Sequence, residues 1–90
     1  MPVVKKHTII NEKGLHARAS AKLVETVERF NANATVSKED VNVSGDSIMG
    51  LLMLAAAKGS QINISTTGPE ENELSQALTN LILNRFDEDF

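Results

Sequence analysis

The spacing of apolar residues along this chain changes period several times, and each change marks an element. Residues 3–10 are rich in β-branched side chains and predict a strand, closed by the turn-like Asn11-Glu12-Lys13-Gly14. Leu23, Val24, Val27 and Phe30 then recur at helical spacing, with Lys22, Glu25, Glu28 and Arg29 on the other side. This predicts an amphipathic helix from just after Gly14 to near Asn31. Ala32, Ala34 and Val36 alternate with Asn33, Thr35 and Ser37, the pattern of a half-buried strand. Val41-Asn42-Val43 predicts a second short strand, joined to it through Lys38-Glu39-Asp40.

Ser44-Gly45-Asp46-Ser47 is a turn and cap cluster ahead of an apolar run over residues 48–57. The run has no β-branched residue after Ile48 and predicts a short helix that stops at Lys58-Gly59. Residues 61–67 alternate Ile62, Ile64 and Thr66 against Asn63, Ser65 and Thr67, a fourth strand. Gly68-Pro69 opens a last helix, with Pro in its first turn and Glu70, Glu71 and Glu73 at its positive end. Leu74, Ala77, Leu78, Leu81 and Ile82 form its apolar stripe, and the acidic residues 87–90 read as a frayed tail. The order β-α-β-β-α-β-α fits an α+β sandwich, with three helices on one face of a four-stranded, mainly antiparallel sheet.

Length narrows this to one domain over residues 1–90, because 90 residues support a single core. Hydrophobic residues make up 41% and charged residues 23%, which excludes a disordered or low-complexity chain. Zero cysteines exclude a disulfide scaffold, a thiolate zinc site and a cysteine nucleophile. The N-terminus lacks the apolar core of a signal peptide, and the run over 48–57 is about half a membrane span. A cytoplasmic protein without membrane insertion is expected. Net charge is −3, but residues 1–38 carry +4 and residues 39–90 carry −7. Anions are therefore expected to meet the first half. The overall balance and the three phenylalanines, none on a predicted strand, argue against a nucleic-acid partner.

Gly14-Leu15-His16-Ala17-Arg18 is the most chemically suggestive segment. A histidine in the first turn of a helix lies beside unpaired backbone N–H groups and the positive end of the dipole. Arg18 adds a fork of donors for phosphate oxygens. A phosphoryl group on the imidazole would land on the helix terminus, so the arrangement suits transient phosphorylation of His16. The plain alternative is a structural or merely exposed histidine. His7, on the first strand, reads as an ordinary strand residue, and two histidines without an acidic cluster make no metal site. The helix over 48–54 is apolar all round and is either buried or a docking patch, for which its methionines suit it. Ser47 reads first as that helix's N-cap, and second as a site where an added phosphate would be accepted.

Gly14-Leu15-His16-Ala17-Arg18 together with Ser47-Ile48-Met49-Gly50-Leu51-Leu52 resembles the HPr family of phosphocarriers of the bacterial phosphotransferase system. Ala57-Lys58-Gly59 and Thr67-Gly68-Pro69 extend the likeness to nearly the whole chain. The resemblance implies an open-faced β-sandwich, and a phosphoryl group accepted at His16 Nδ1 from Enzyme I and passed to an Enzyme IIA protein. It implies that Arg18 stands beside the phosphohistidine and that Ser47 is the target of HPr kinase/phosphorylase. It places Ala19, Ser20, Met49 and Leu52 at partner contacts. No cofactor and no metal are implied, and a monomer is expected.

One departure is that Ala19-Ser20 follows the arginine where the family commonly has proline. Alanine can adopt the same backbone at a cost in unfolded-chain entropy of about 0.4–1 kcal/mol, and it returns one N–H to the helix terminus. The branch stays open: the stretch 51–54 and the acidic tail resemble the nitrogen-related form of the family, and the surroundings of Ser47 resemble the kinase-regulated form. A rival reading is a regulatory interaction module that acts through residues 48–54 under control of Ser47 phosphorylation.

Overall fold

The computed structural model describes all 90 residues. The elements are β1 (Val3–Thr8), α1 (Ala17–Glu28), β2 (Asn33–Lys38), β3 (Val41–Ser44), α2 (Ile48–Met53), β4 (Gln61–Thr67) and α3 (Glu71–Leu83). A single 3-10-type turn at Arg85–Asp87 follows. The strands form one sheet in the order β1-β4-β2-β3, and every pairing is antiparallel. This is the open-faced sandwich that the element order and the family resemblance predict.

Alternation sets which side of each strand is buried. Ile62, Ile64 and Thr66 of β4 point inward, with Val36 registered on Ile64 and Ala34 on Thr66. Asn63 and Thr67 stay exposed with Asn33 and Thr35 on the uncovered face. The inner face meets Ala19, Leu23, Val24 and Val27 of α1 and Leu74, Leu78 and Ile82 of α3 in one cluster of 17 buried residues. His7 pairs with Ile62 and so lies on the inner face, half-buried. Burial, followed by the charge of Lys5, lowers its pKa below the ordinary imidazole value.

Four boundaries differ from the sequence reading. α1 begins at Ala17, with His16 outside as its N-cap, and ends at Glu28. Pro69 lies before α3, whose N-cap is Glu70; Gly68 N–H donates to Glu71 Oε1 at 3.1 Å. α2 ends at Met53 and not at Ala57, because Ala55 turns left-handed with φ 50° and the next backbone is used elsewhere. Ala56 C=O accepts from Leu15 N–H at 2.9 Å, and the Lys38 ammonium donates to the carbonyls of Leu54 and Ala55 at 3.2 and 3.3 Å. An apolar, alanine-rich stretch thus leaves the helix to brace the loop ahead of α1.

The largest difference is at the C-terminus. The tail is not frayed, because Phe86 is fully buried in the core cluster. Arg85, Phe86 and Asp87 have φ of 56°, 53° and 62°, a left-handed turn that swings the chain back over α1. Burying a phenylalanine is worth about 1.5–3 kcal/mol, which offsets part of the cost of left-handed backbone in three non-glycine residues.

Candidate phosphoryl-acceptor site

The site is built where the β1–α1 loop meets that returning tail. Gly14 has φ 65°, and a Cβ there would sit 2.5 Å from Ala56 O, so only glycine fits the contact between this loop and the segment after α2. Leu15 is buried and anchored by its bond to Ala56. His16 follows in extended backbone (φ −78°, ψ −176°) and gives no side-chain cap to α1. Its C=O accepts from Ser20 N–H at 2.8 Å, so the amides of Ala17, Arg18 and Ala19 precede the first intrahelical bond. No acidic side chain of its own first turn compensates the positive end of α1.

The His16 ring is about one-quarter exposed. Its Nε2 lies 2.5 Å from Glu88 Oε2, while Nδ1 has no protein partner. The Glu88 carboxylate, 12% exposed, accepts at its other oxygen from Asn11 Nδ2 at 3.0 Å. Asn11 is fully buried and also donates to Gly14 C=O at 2.8 Å. Burial pushes the Glu88 carboxyl upward, but hydrogen bonds from Asn11 and His16 and the charges of His16 and Lys13 outweigh it. The net direction is downward, which keeps Glu88 an acceptor at neutral pH.

Neither Glu88 nor Asn11 was singled out by sequence reasoning. Asn11 sits in a turn-like tetrapeptide where asparagine is unremarkable. For Glu88 a signal existed: Leu74, Leu78 and Ile82 extend at a spacing of four to Phe86, so the apolar stripe of α3 runs past the helix and anchors the tail.

Arg18 is exposed and makes no hydrogen bond, so its guanidinium is available in a shallow cleft that it lines with Lys13 and the tail. At α2, Ser47 is the N-cap and its Oγ accepts from Gly50 N–H at 3.0 Å. Around it Ile48, Met49, Leu52 and Met53 are 39%, 72%, 37% and 75% exposed, while Leu51 and Leu54 are buried. The apolar run therefore divides into a core side and an open side.

A family model described as PTS HPr component phosphorylation site matches residues 3–84. The chain belongs to the HPr family of phosphocarriers. Phosphocarrier protein HPr of Neisseria meningitidis (serogroup A) is 52% identical over 80 residues, covering 89% of this chain and 90% of that protein. HPr of Xylella fastidiosa (strain Temecula1) is 46% identical over 82 residues, covering 91% and 92%. The crystal structure of HPr-C-His from Thermoanaerobacter tengcongensis superposes with a TM-score of 0.93 at 34% identity, covering 98% and 99% of the two chains.

Two partner contacts expected from the HPr resemblance need correction. Ala19 and Ser20 are both fully buried, and Ser20 Oγ donates to Leu15 C=O at 3.1 Å. Their side chains face the core and are not docking groups. Met49 and Leu52 stand on the open side of α2. No group of histidine, cysteine, aspartate and glutamate side chains is arranged to hold a metal ion, and no helix is long and apolar enough to cross a membrane.

Proposed function

We propose that this chain is a phosphoryl shuttle that accepts a phosphoryl group on His16 Nδ1 from Enzyme I and delivers it to an Enzyme IIA protein. The observation that carries the reading is the combination at His16: one ring nitrogen occupied by Glu88, the other unpartnered, and an uncapped helix start alongside. A dianionic phosphoryl group is favoured by backbone amides and the helix dipole, and Arg18 is the side chain suited to its oxygens. Phosphoryl transfer needs positioning and charge stabilisation more than covalent chemistry from the protein, and this site is equipped for both.

The open side of α2, with Met49 and Leu52 at its centre, is the surface offered to Enzyme I and Enzyme IIA. Ser47 at its edge is the regulatory position. A phosphate there would bring about two negative charges to the rim of an apolar surface and weaken docking. The acceptor Enzyme IIA is of the sugar or the nitrogen-related type, and transfer from labelled protein to one of each assigns the branch.

Incubation with Enzyme I and radiolabelled phosphoenolpyruvate tests the proposal. The expected product is an acid-labile, base-stable phosphate on the wild type and none on His16→Ala. Equal labelling of the variant would remove His16 from the mechanism.

A further inference from the structure

We infer that Glu88 is a positioning residue for the phosphoryl step, selecting which nitrogen of His16 accepts the group and holding the proton of the other. The inference rests on the reading of His16 as acceptor and adds a residue 72 positions away in the chain.

An ionised carboxylate has only acceptor atoms, so a bond between Glu88 Oε2 and His16 Nε2 puts a ring proton on Nε2 and, in the neutral ring, the lone pair on Nδ1. The carboxylate is itself held. Its Oε1 takes a hydrogen from Asn11 Nδ2, and the same amide group donates to Gly14 C=O. Turning the Asn11 amide over would set its carbonyl oxygen against two acceptors, so this orientation is fixed by the network. The carboxylate reaches the ring from an anchored turn, because Phe86 two residues earlier is fully buried. A buried asparagine, an anchored carboxylate and a histidine thus form a chain of contacts ending at an unpartnered Nδ1.

The transfer balances on these atoms. The Nδ1 lone pair forms the N–P bond while the bond from phosphorus to the donor breaks, and that electron pair stays with the donor. The ring becomes a phosphorylated imidazolium that keeps its Nε2 proton, facing the Glu88 carboxylate. When the group leaves, the N–P pair returns to Nδ1 and the departing ring is a neutral imidazole. Without the Nε2 proton the leaving group would be an imidazolide anion, which departs far less readily. Holding that proton keeps the phosphoryl group transferable. The other charged groups around this pair are Glu12 and Lys13 on the loop, Arg18 on α1, and Asp87 and Asp89 on the tail.

The test uses phosphoramidate, a small phosphoryl donor that needs no partner protein. It is applied to wild type, Glu88→Ala and Glu88→Gln, each with its histidine rings labelled with nitrogen-15. Ring resonances report both the phosphorylated nitrogen and the state of the other. Wild type should give the Nδ1 isomer and retain the Nε2 proton into the alkaline range. Glu88→Ala should give both isomers, and its Nδ1 isomer should lose the proton at lower pH, with alkaline hydrolysis of the N–P bond slowed about tenfold. Glu88→Gln, which keeps a neutral acceptor, should preserve the isomer preference and lose the hold on the proton. Identical isomers and titrations in all three proteins, with the backbone amide spectra unchanged, would overturn the role of Glu88. Because phosphoramidate bypasses Enzyme I, a failure of enzymatic labelling would count against the shuttle and leave the test of Glu88 intact.

Discussion

Helices α1 and α2 begin in opposite ways. At α2, Ser47 folds its hydroxyl back onto Gly50 N–H at 3.0 Å, closing the terminus with the side chain that helix propensity favours there. At α1 the same position is held by His16, which caps nothing and turns its ring to Glu88. One start is finished locally; the other is left with its amides open and its N-cap side chain tied to the far end of the sequence. The contrast teaches that a weak choice for stability at one terminus is what makes it available to an anion.

The contrast is broken most completely by His16→Ser, which gives α1 the cap that α2 has. Phosphoryl labelling by Enzyme I should disappear, while stability in denaturant titration should rise by about 0.5–2 kcal/mol, the usual worth of an N-cap. A loss of stability would mean that the Glu88 contact outweighs the missing cap. Next comes the pair at α2. Ser47→Ala should cost about 1 kcal/mol and leave the rate of labelling unchanged. Ser47→Asp should keep the cap and the stability, yet slow labelling by placing a charge beside Met49 and Leu52. A Ser47→Asp protein labelled at the wild-type rate would leave Ser47 with the capping role only.

The smallest effect is in pH. Glu88 is held below the ordinary carboxyl value, so its contribution to folding is fully present above that value, about 4.3. It is lost as pH falls through the lowered value of the folded state. The stability difference between wild type and Glu88→Gln should therefore be larger at neutral pH than in acid, where it vanishes. A difference that grew on acidification would reverse the assignment of the ionised form as the bound one.

Local pattern carried the sequence reading a long way. The alternation in β4 predicts its buried and exposed residues, and the stripe of α1 predicts Leu23, Val24 and Val27 in the core. His16, Arg18 and Ser47 stand out as candidates in the sequence because helix starts have their own chemistry. Residues 54–57 depart from the helix that propensity favours there, because long-range bonds to Leu15 and Lys38 decide the backbone. The three acids of the tail predict solvent exposure, but Phe86, buried just ahead of them, anchors the start of the segment. Asn11 leaves no local signal of its contact with Glu88, 77 positions away, and the spacing of four that reaches Phe86 places the tail on the core without singling out Glu88.

The buried Phe86 also has a consequence for competition in solution. Anchored two residues from Glu88, it makes the carboxylate a tethered ligand of His16, with an effective concentration in the millimolar range or above. A free carboxylate or phosphate at lower concentration displaces it poorly from Nε2, and a phosphoryl group bound for Nδ1 does not need to. The left-handed turn at residues 85–87 thereby keeps the Nε2 contact in place while Nδ1 stays open.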